Sequence, residues 1–170
     1  MNNINKNILG IWLYLISDCI IFTILFISFL NSNNYFYKNI IYNYRIVLIE
    51  TILLLICSYL SILIIKKKNI KYCYLNLIFS LLFLIIEFKD IYHLNYINIS
   101  YKTNNFLSNY FIIIFFHALH VIISILICIN LIILKKLKKK FKLINIFFSL
   151  FWHFIHIVWL CLIFIIYIKK

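Results

Sequence analysis

The side chains able to do acid–base or ligand chemistry are few in this sequence of 170 residues, and most of them come in pairs. His117 and His120 stand three apart, as do His153 and His156, so each pair shares roughly one face of a helix. Glu87 and Asp90 repeat that spacing, and Trp152, His156 and Trp159 follow at i, i+4 and i+7. The other two acids are Asp18, with Tyr14 one turn before it to offer a phenol hydrogen bond, and Glu50, within reach of Arg45. Three chemistries are open to this set. Imidazole titrates near neutrality and intramembrane carboxylates often mark proton routes, which makes proton handling one of them. A hydrogen-bonded seam locking helices together is the second, at about 0.6 kcal/mol per contact within a membrane. Metal or haem ligation is the third. Against it, two histidines three apart on one helix lie at nearly one depth and cannot hold two stacked haems, and no His-Glu-x-x-His zinc motif is present.

The elements that must position these residues are apolar. The chain is 66% hydrophobic with a mean hydropathy of +1.05, whereas a soluble domain is about 45–50% apolar. One Gly and no Pro argue against an all-β protein, which needs turn residues. Five stretches reach the roughly 20 residues that span a bilayer, near 9–30, 46–65, 72–94, 106–134 and 144–168. The expectation is an all-α, single-domain bundle of five transmembrane helices over 1–170. The first stretch is too long for a signal-peptide core and has no small-residue cleavage pattern, so it is expected to be retained. All four acids fall inside or at the edge of an apolar stretch, where a carboxylate costs about 2.5–3.5 kcal/mol unless it faces protein, water or a partner.

A net charge of +13 would suggest nucleic acid in a soluble protein, but these cations cluster between apolar stretches and point to the membrane surface. An A/T-rich coding bias accounts for much of the Lys and Asn, so positions carry more weight than counts. Lys6, the loop with Lys66, Lys67, Lys68 and Lys71, and the loop 135–142 fall on one side. Lys38, Arg45, Lys102, Lys169 and Lys170 fall on the other. The richer side is cytoplasmic under the positive-inside rule, which puts the N-terminus inside and the C-terminus in the periplasm. Cys19, Cys57, Cys73, Cys128 and Cys161 form no Cys-x-x-Cys pair and read as buried packing residues, with no disulfide framework or zinc site.

The motifs also carry a resemblance. Phe151-Trp152-His153-Phe154-Ile155-His156-Ile157-Val158-Trp159 resembles the last-helix signature Trp-His-Phe-x-Asp-x-x-Trp of subunit III of the haem-copper terminal oxidases. Phe116-His117-Ala118-Leu119-His120-Val121 is similar to the His-Gly-Leu-His-Val of the preceding helix in that family. Gly10 to Cys19 resembles the opening helix of the quinol-oxidase branch, and Ile49-Glu50-Thr51 and Glu87-Phe88-Lys89-Asp90 fall at the second and third helix positions. Five helices starting directly at the Ser-Asp helix match the cytochrome o ubiquinol oxidase branch rather than the seven-helix mitochondrial type. His156 replaces the usual Asp and Ala118 the usual Gly.

The resemblance implies an accessory, non-redox subunit of a proton-pumping ubiquinol oxidase of the aerobic respiratory chain in the bacterial inner membrane. It implies no redox cofactor in this subunit, since haems and copper belong to subunit I. Its implied partners are subunits I, II and IV and membrane phospholipid, with no nucleic acid. It connects the carboxylate at the position of Asp18 with lipid contact and sustained proton uptake. No residue is expected to be catalytic, cofactor-binding or metal-binding. The residues expected in a buried polar seam, or in proton- or lipid-linked roles, are Asp18, Glu50, Glu87, Asp90, His117, His120, Trp152, His153, His156 and Trp159. The alternative is an independent membrane transporter or proton-conducting protein that uses the same buried groups.

Overall fold

Long apolar runs without Pro leave the backbone no better option in lipid than to satisfy its own N–H and C=O groups, and each run becomes one helix. The computed structural model describes residues 3–32, 44–67, 69–96, 105–137 and 142–168. The described residues are all helical apart from short end segments: α1 (Asn3–Asn31), α2 (Tyr44–Lys67), α3 (Ile70–Tyr96), α4 (Asn105–Lys136) and α5 (Lys142–Ile168). All five are long and apolar enough to cross a membrane. The first helix starts at Asn3, ahead of the expected position 9, because nothing in the polar lead-in breaks it. With 32 residues, α4 is about 48 Å long and exceeds the hydrocarbon thickness, as its sequence anticipates.

The helix ends carry matching chemistry. Lys66 and Lys67 close α2, and Lys135 and Lys136 close α4, each a cation at the negative end of a helix dipole. Asn69 Oδ1 accepts from the Lys71 backbone N–H at 3.1 Å and caps α3. Lys38, Lys68, Lys102, Lys138, Lys139, Lys140, Lys169 and Lys170, which carry much of the charge asymmetry, lie outside the described residues.

The principal contacts join α2 to α3, α3 to α4, α4 to α5 and α5 back to α2, closing a four-helix ring. Outside that ring, α1 packs against α4 and α5. Its buried stripe is Leu15, Asp18, Phe22 and Phe29, while Trp12, Leu13, Ile16, Ile20, Ile24 and Ile27 face outward. Phe83, Phe148, Trp152 and Ile155 are buried in the bundle, while the buried Phe151 meets Tyr14 of α1. Several helix hydroxyls are satisfied locally: Ser17, Thr23, Ser58, Ser61 and Ser80 each donate to the carbonyl three residues back. That is how a hydroxyl survives in hydrocarbon without water. The buried Ser124 hydroxyl, by contrast, has no partner among the described residues.

Candidate functional site

Residues three apart on a helix sit about 60° apart around its axis, so a pair can address two neighbouring helices. His117 and His120 do this from α4. His117 Nδ1 lies 3.4 Å from Glu87 Oε1 on α3, with the two side chains 0% and 4% exposed. His120 Nε2 lies 3.5 Å from Asp18 Oδ2 on α1, at the rim of the ring. One helix thus holds a carboxylate on each side, and both pairs sit inside the apolar layer.

The second nitrogens of the two imidazoles have different surroundings. His120 Nδ1 lies 2.7 Å from the Phe116 carbonyl, which can only accept, so Nδ1 carries a hydrogen. Nε2 then faces a carboxylate oxygen. Two lone pairs at that distance repel, and one further proton on either His120 or Asp18 turns the contact into attraction. Tyr14 also interacts with Asp18 from the preceding turn of α1. At the inner pair, His117 Nε2 and Glu87 Oε2 find no partner among the described residues. The His117 ring is packed instead against Trp159 at 5.0 Å and Phe83 at 5.6 Å between centroids. The Phe83 edge also meets Trp159, at 5.6 Å and 87°, so these three rings form one wall beside Glu87.

A second acidic group sits towards the opposite end from Lys135. Glu50 of α2 is 3% exposed and lies where the charges of Glu87 and Asp90 act on it. Tyr110 of α4 interacts electrostatically with all three carboxylates. The sequence places Arg45 within reach of Glu50, but the structure has no ion pair between them. Five residues along a helix is a rotation of about 140°, so Glu50 points into the ring while Arg45 is exposed. Asp90 is half-buried, and Lys89 and His93 are exposed.

The histidines of α5 behave differently from those of α4. His153 and His156 are half-buried and make no hydrogen bond or ion pair among the described residues, so the structure does not join them to Asp18, His117 or His120. The face that α5 turns inward carries Phe148, Phe151, Trp152, Ile155 and Trp159 instead. Trp152 and Trp159 are buried, and neither indole N–H has a partner among the described residues.

Sequence spacing gave no sign of several polar contacts. Ser61 and Ser149 meet at 3.2 Å between α2 and α5. Asn76 of α3 donates to the Cys57 carbonyl of α2 at 2.8 Å, while the Cys57 thiol reaches the Asn76 carbonyl at 3.9 Å. Lys135 Nζ donates to Cys73 Sγ at 3.1 Å. These residues are 19 to 88 positions apart, a range no periodicity can read. Among the described residues, no group of three or more His, Cys, Asp or Glu side chains could hold a metal ion.

No protein-family model matches the sequence. Three curated relatives do, and each is described as cytochrome bo(3) ubiquinol oxidase subunit 3. The protein of Buchnera aphidicola subsp. Acyrthosiphon pisum is 32% identical over 145 residues, covering 79% of this chain and 70% of the relative. That of Buchnera aphidicola subsp. Schizaphis graminum is 34% identical over 138 residues, covering 75% and 73%. That of Buchnera aphidicola subsp. Baizongia pistaciae is 35% identical over 138 residues, covering 71% and 68%.

Proposed function

The chain belongs to the cytochrome bo(3) ubiquinol oxidase subunit 3 family, and from that membership we propose that it is the accessory, non-redox third subunit of a proton-pumping ubiquinol oxidase. It is an integral protein of a bacterial inner membrane. In this reading the chain is one transmembrane domain with its N-terminus in the cytoplasm and its C-terminus in the periplasm. It binds subunits I, II and IV and phospholipid, carries neither haem nor copper, and supports assembly and stability of the catalytic subunit.

The likeness to the three relatives carries the reading, and the use of α4 as a polar hub supports a structural role within it: its two imidazoles face Glu87 on α3 and Asp18 on α1. Such pairs fix how helices sit against one another. They give a subunit without redox chemistry a defined shape to present to its neighbours. The contact between Asp18 and His120, 3.5 Å from Oδ2 to Nε2, also gives this reading a place where a proton taken up could be held. The indoles of Trp152 and Trp159 and the ring of His117 act as packing for that frame.

Tagging the chain in its native membrane and purifying it tests the reading. A haem-bearing subunit should co-purify, and the chain stripped of its partners should show no Soret band. His117→Leu should lower the yield of complex while the haem spectrum of the surviving complex stays unchanged. Recovery of a stable lone chain that conducts protons in liposomes would establish an independent transporter instead.

A further inference from the structure

We propose that Cys73 and Cys128 form a peroxide-reactive dithiol at the Lys135 end of the bundle, which hydroperoxides oxidise to a disulfide joining α3 to α4. The inference rests on side-chain geometry and is independent of the functional reading above. Cys73 lies in the first turn of α3, where the free backbone N–H groups carry the positive end of the helix dipole. Lys135 adds a full charge: its ammonium donates to Cys73 Sγ at 3.1 Å. Positive charge from two directions beside one sulfur is the setting in which a cysteine acts as a nucleophile. Cys128 comes from the facing helix and donates its thiol to the Cys73 carbonyl oxygen at 3.4 Å, which brings the two cysteines side by side across the α3–α4 contact.

The other cysteines lack this setting. Cys57 is turned to the Asn76 carbonyl, and no lysine among the described residues hydrogen-bonds to it. Cys19 and Cys161 lie on exposed, apolar helix faces. Location favours the pair as well. Cys73 and Cys128 are both buried, but Cys73 is only about 5 Å along α3 from its first residue, so a local opening of that helix end is enough to admit a small hydroperoxide.

The chemistry balances with the hydroperoxide as the named oxidant. The Cys73 sulfur attacks the terminal peroxide oxygen, an S–O bond forms, the O–O bond breaks, and the departing alkoxide or hydroxide takes a proton to leave as alcohol or water. The Cys128 sulfur then attacks the sulfenic sulfur. The S–S bond forms, the S–O bond breaks, and the hydroxyl leaves as water with the Cys128 proton. Two thiols are oxidised by two electrons and one peroxide is reduced.

The test uses membranes holding the chain in its complex. They are exposed to hydrogen peroxide, quenched with catalase, alkylated with N-ethylmaleimide and mapped by mass spectrometry. Cys73 and Cys128 should lose alkylation together, appear in one cross-linked peptide and return after reduction with dithiothreitol. In Cys128→Ser, Cys73 should stop at a sulfenic acid that dimedone captures. Lys135→Met should slow Cys73 oxidation about tenfold, and Lys135→Arg should keep most of the rate. The proposal is overturned if Cys73 stays alkylatable after peroxide, if Cys57 is its disulfide partner, or if Lys135→Met reacts as fast as the parent chain.

Discussion

Replacing His117 with Leu strands the Glu87 carboxylate inside the ring. The two groups are 3.4 Å apart with almost no exposure. With both groups ionised and an effective dielectric near 20, unit charges at that distance attract by about 5 kcal/mol. Taking each ion out of water costs several kcal/mol, so the intact pair contributes little net stability. Removing one member is a different matter, because the survivor keeps its desolvation cost without its partner, a loss of about 3–5 kcal/mol. His117→Leu and Glu87→Leu should therefore each destabilise the protein by about 3–5 kcal/mol. The double replacement leaves no charge buried and should cost less than about 2 kcal/mol, below either single change.

The assay is an unfolding titration of the purified complex in mixed micelles with rising dodecyl sulfate, followed by helical circular dichroism. A neutral hydrogen bond within a membrane contributes only about 0.6 kcal/mol on average and about 1.7 at most. In that case the single changes would be mild and the double change would equal their sum. Additive losses would therefore refute a charged pair at this site.

Three further changes follow from the packing. Phe83→Ala removes the ring that braces His117 and Trp159 and should cost about 3–5 kcal/mol in the same titration. Asp18→Leu should cost less, about 0.6–1.7 kcal/mol, and faster amide exchange confined to α1 would show that the loss is its docking on α4. His153→Leu should leave bundle stability within about 0.5 kcal/mol, since the imidazole is half-buried and unpaired among the described residues; a loss as large as that for His117→Leu would contradict its placement.

The sequence makes the helices legible because hydropathy acts over some twenty residues and survives any detail of packing. It also marks His117, His120, Asp18 and Glu87 as buried, since a titratable group in hydrocarbon needs a neighbour. Which neighbour depends on helix rotation. The three-residue spacing puts His117 and His120 on roughly one face of α4; only the fold shows that they turn to two different helices, α3 and α1. The same spacing at His153 and His156 describes the same local geometry, yet α5 is turned so that Trp152 and Trp159 face inward in their place. The contact between Lys135 and Cys73 was invisible for another reason. Each residue has an ordinary explanation, a helix-end cation and a small apolar side chain, and only their meeting makes them chemically distinctive.

The position of α1 shows why such pairs are worth their insertion cost. Its hold on the ring is narrow, a stripe of Leu15, Phe22 and Phe29 against α4 and α5. Apolar stripes of this kind are forgiving, because a slip by one turn, about 5.4 Å, brings similar side chains back into contact. Asp18 is not forgiving. The same slip would carry its carboxylate away from His120 and leave it among acyl tails or phenyl rings, where it costs about 2.5–3.5 kcal/mol. One misplaced charge therefore outweighs several interchangeable apolar contacts, and the Asp18–His120 pair sets the depth of α1. Moving the carboxylate one turn along the same face, as Asp18→Leu with Phe22→Asp, should shift α1 by about one turn relative to α4, read as a changed pattern of cysteine cross-linking between the two helices. An unchanged pattern would mean that the apolar stripe alone fixes the register.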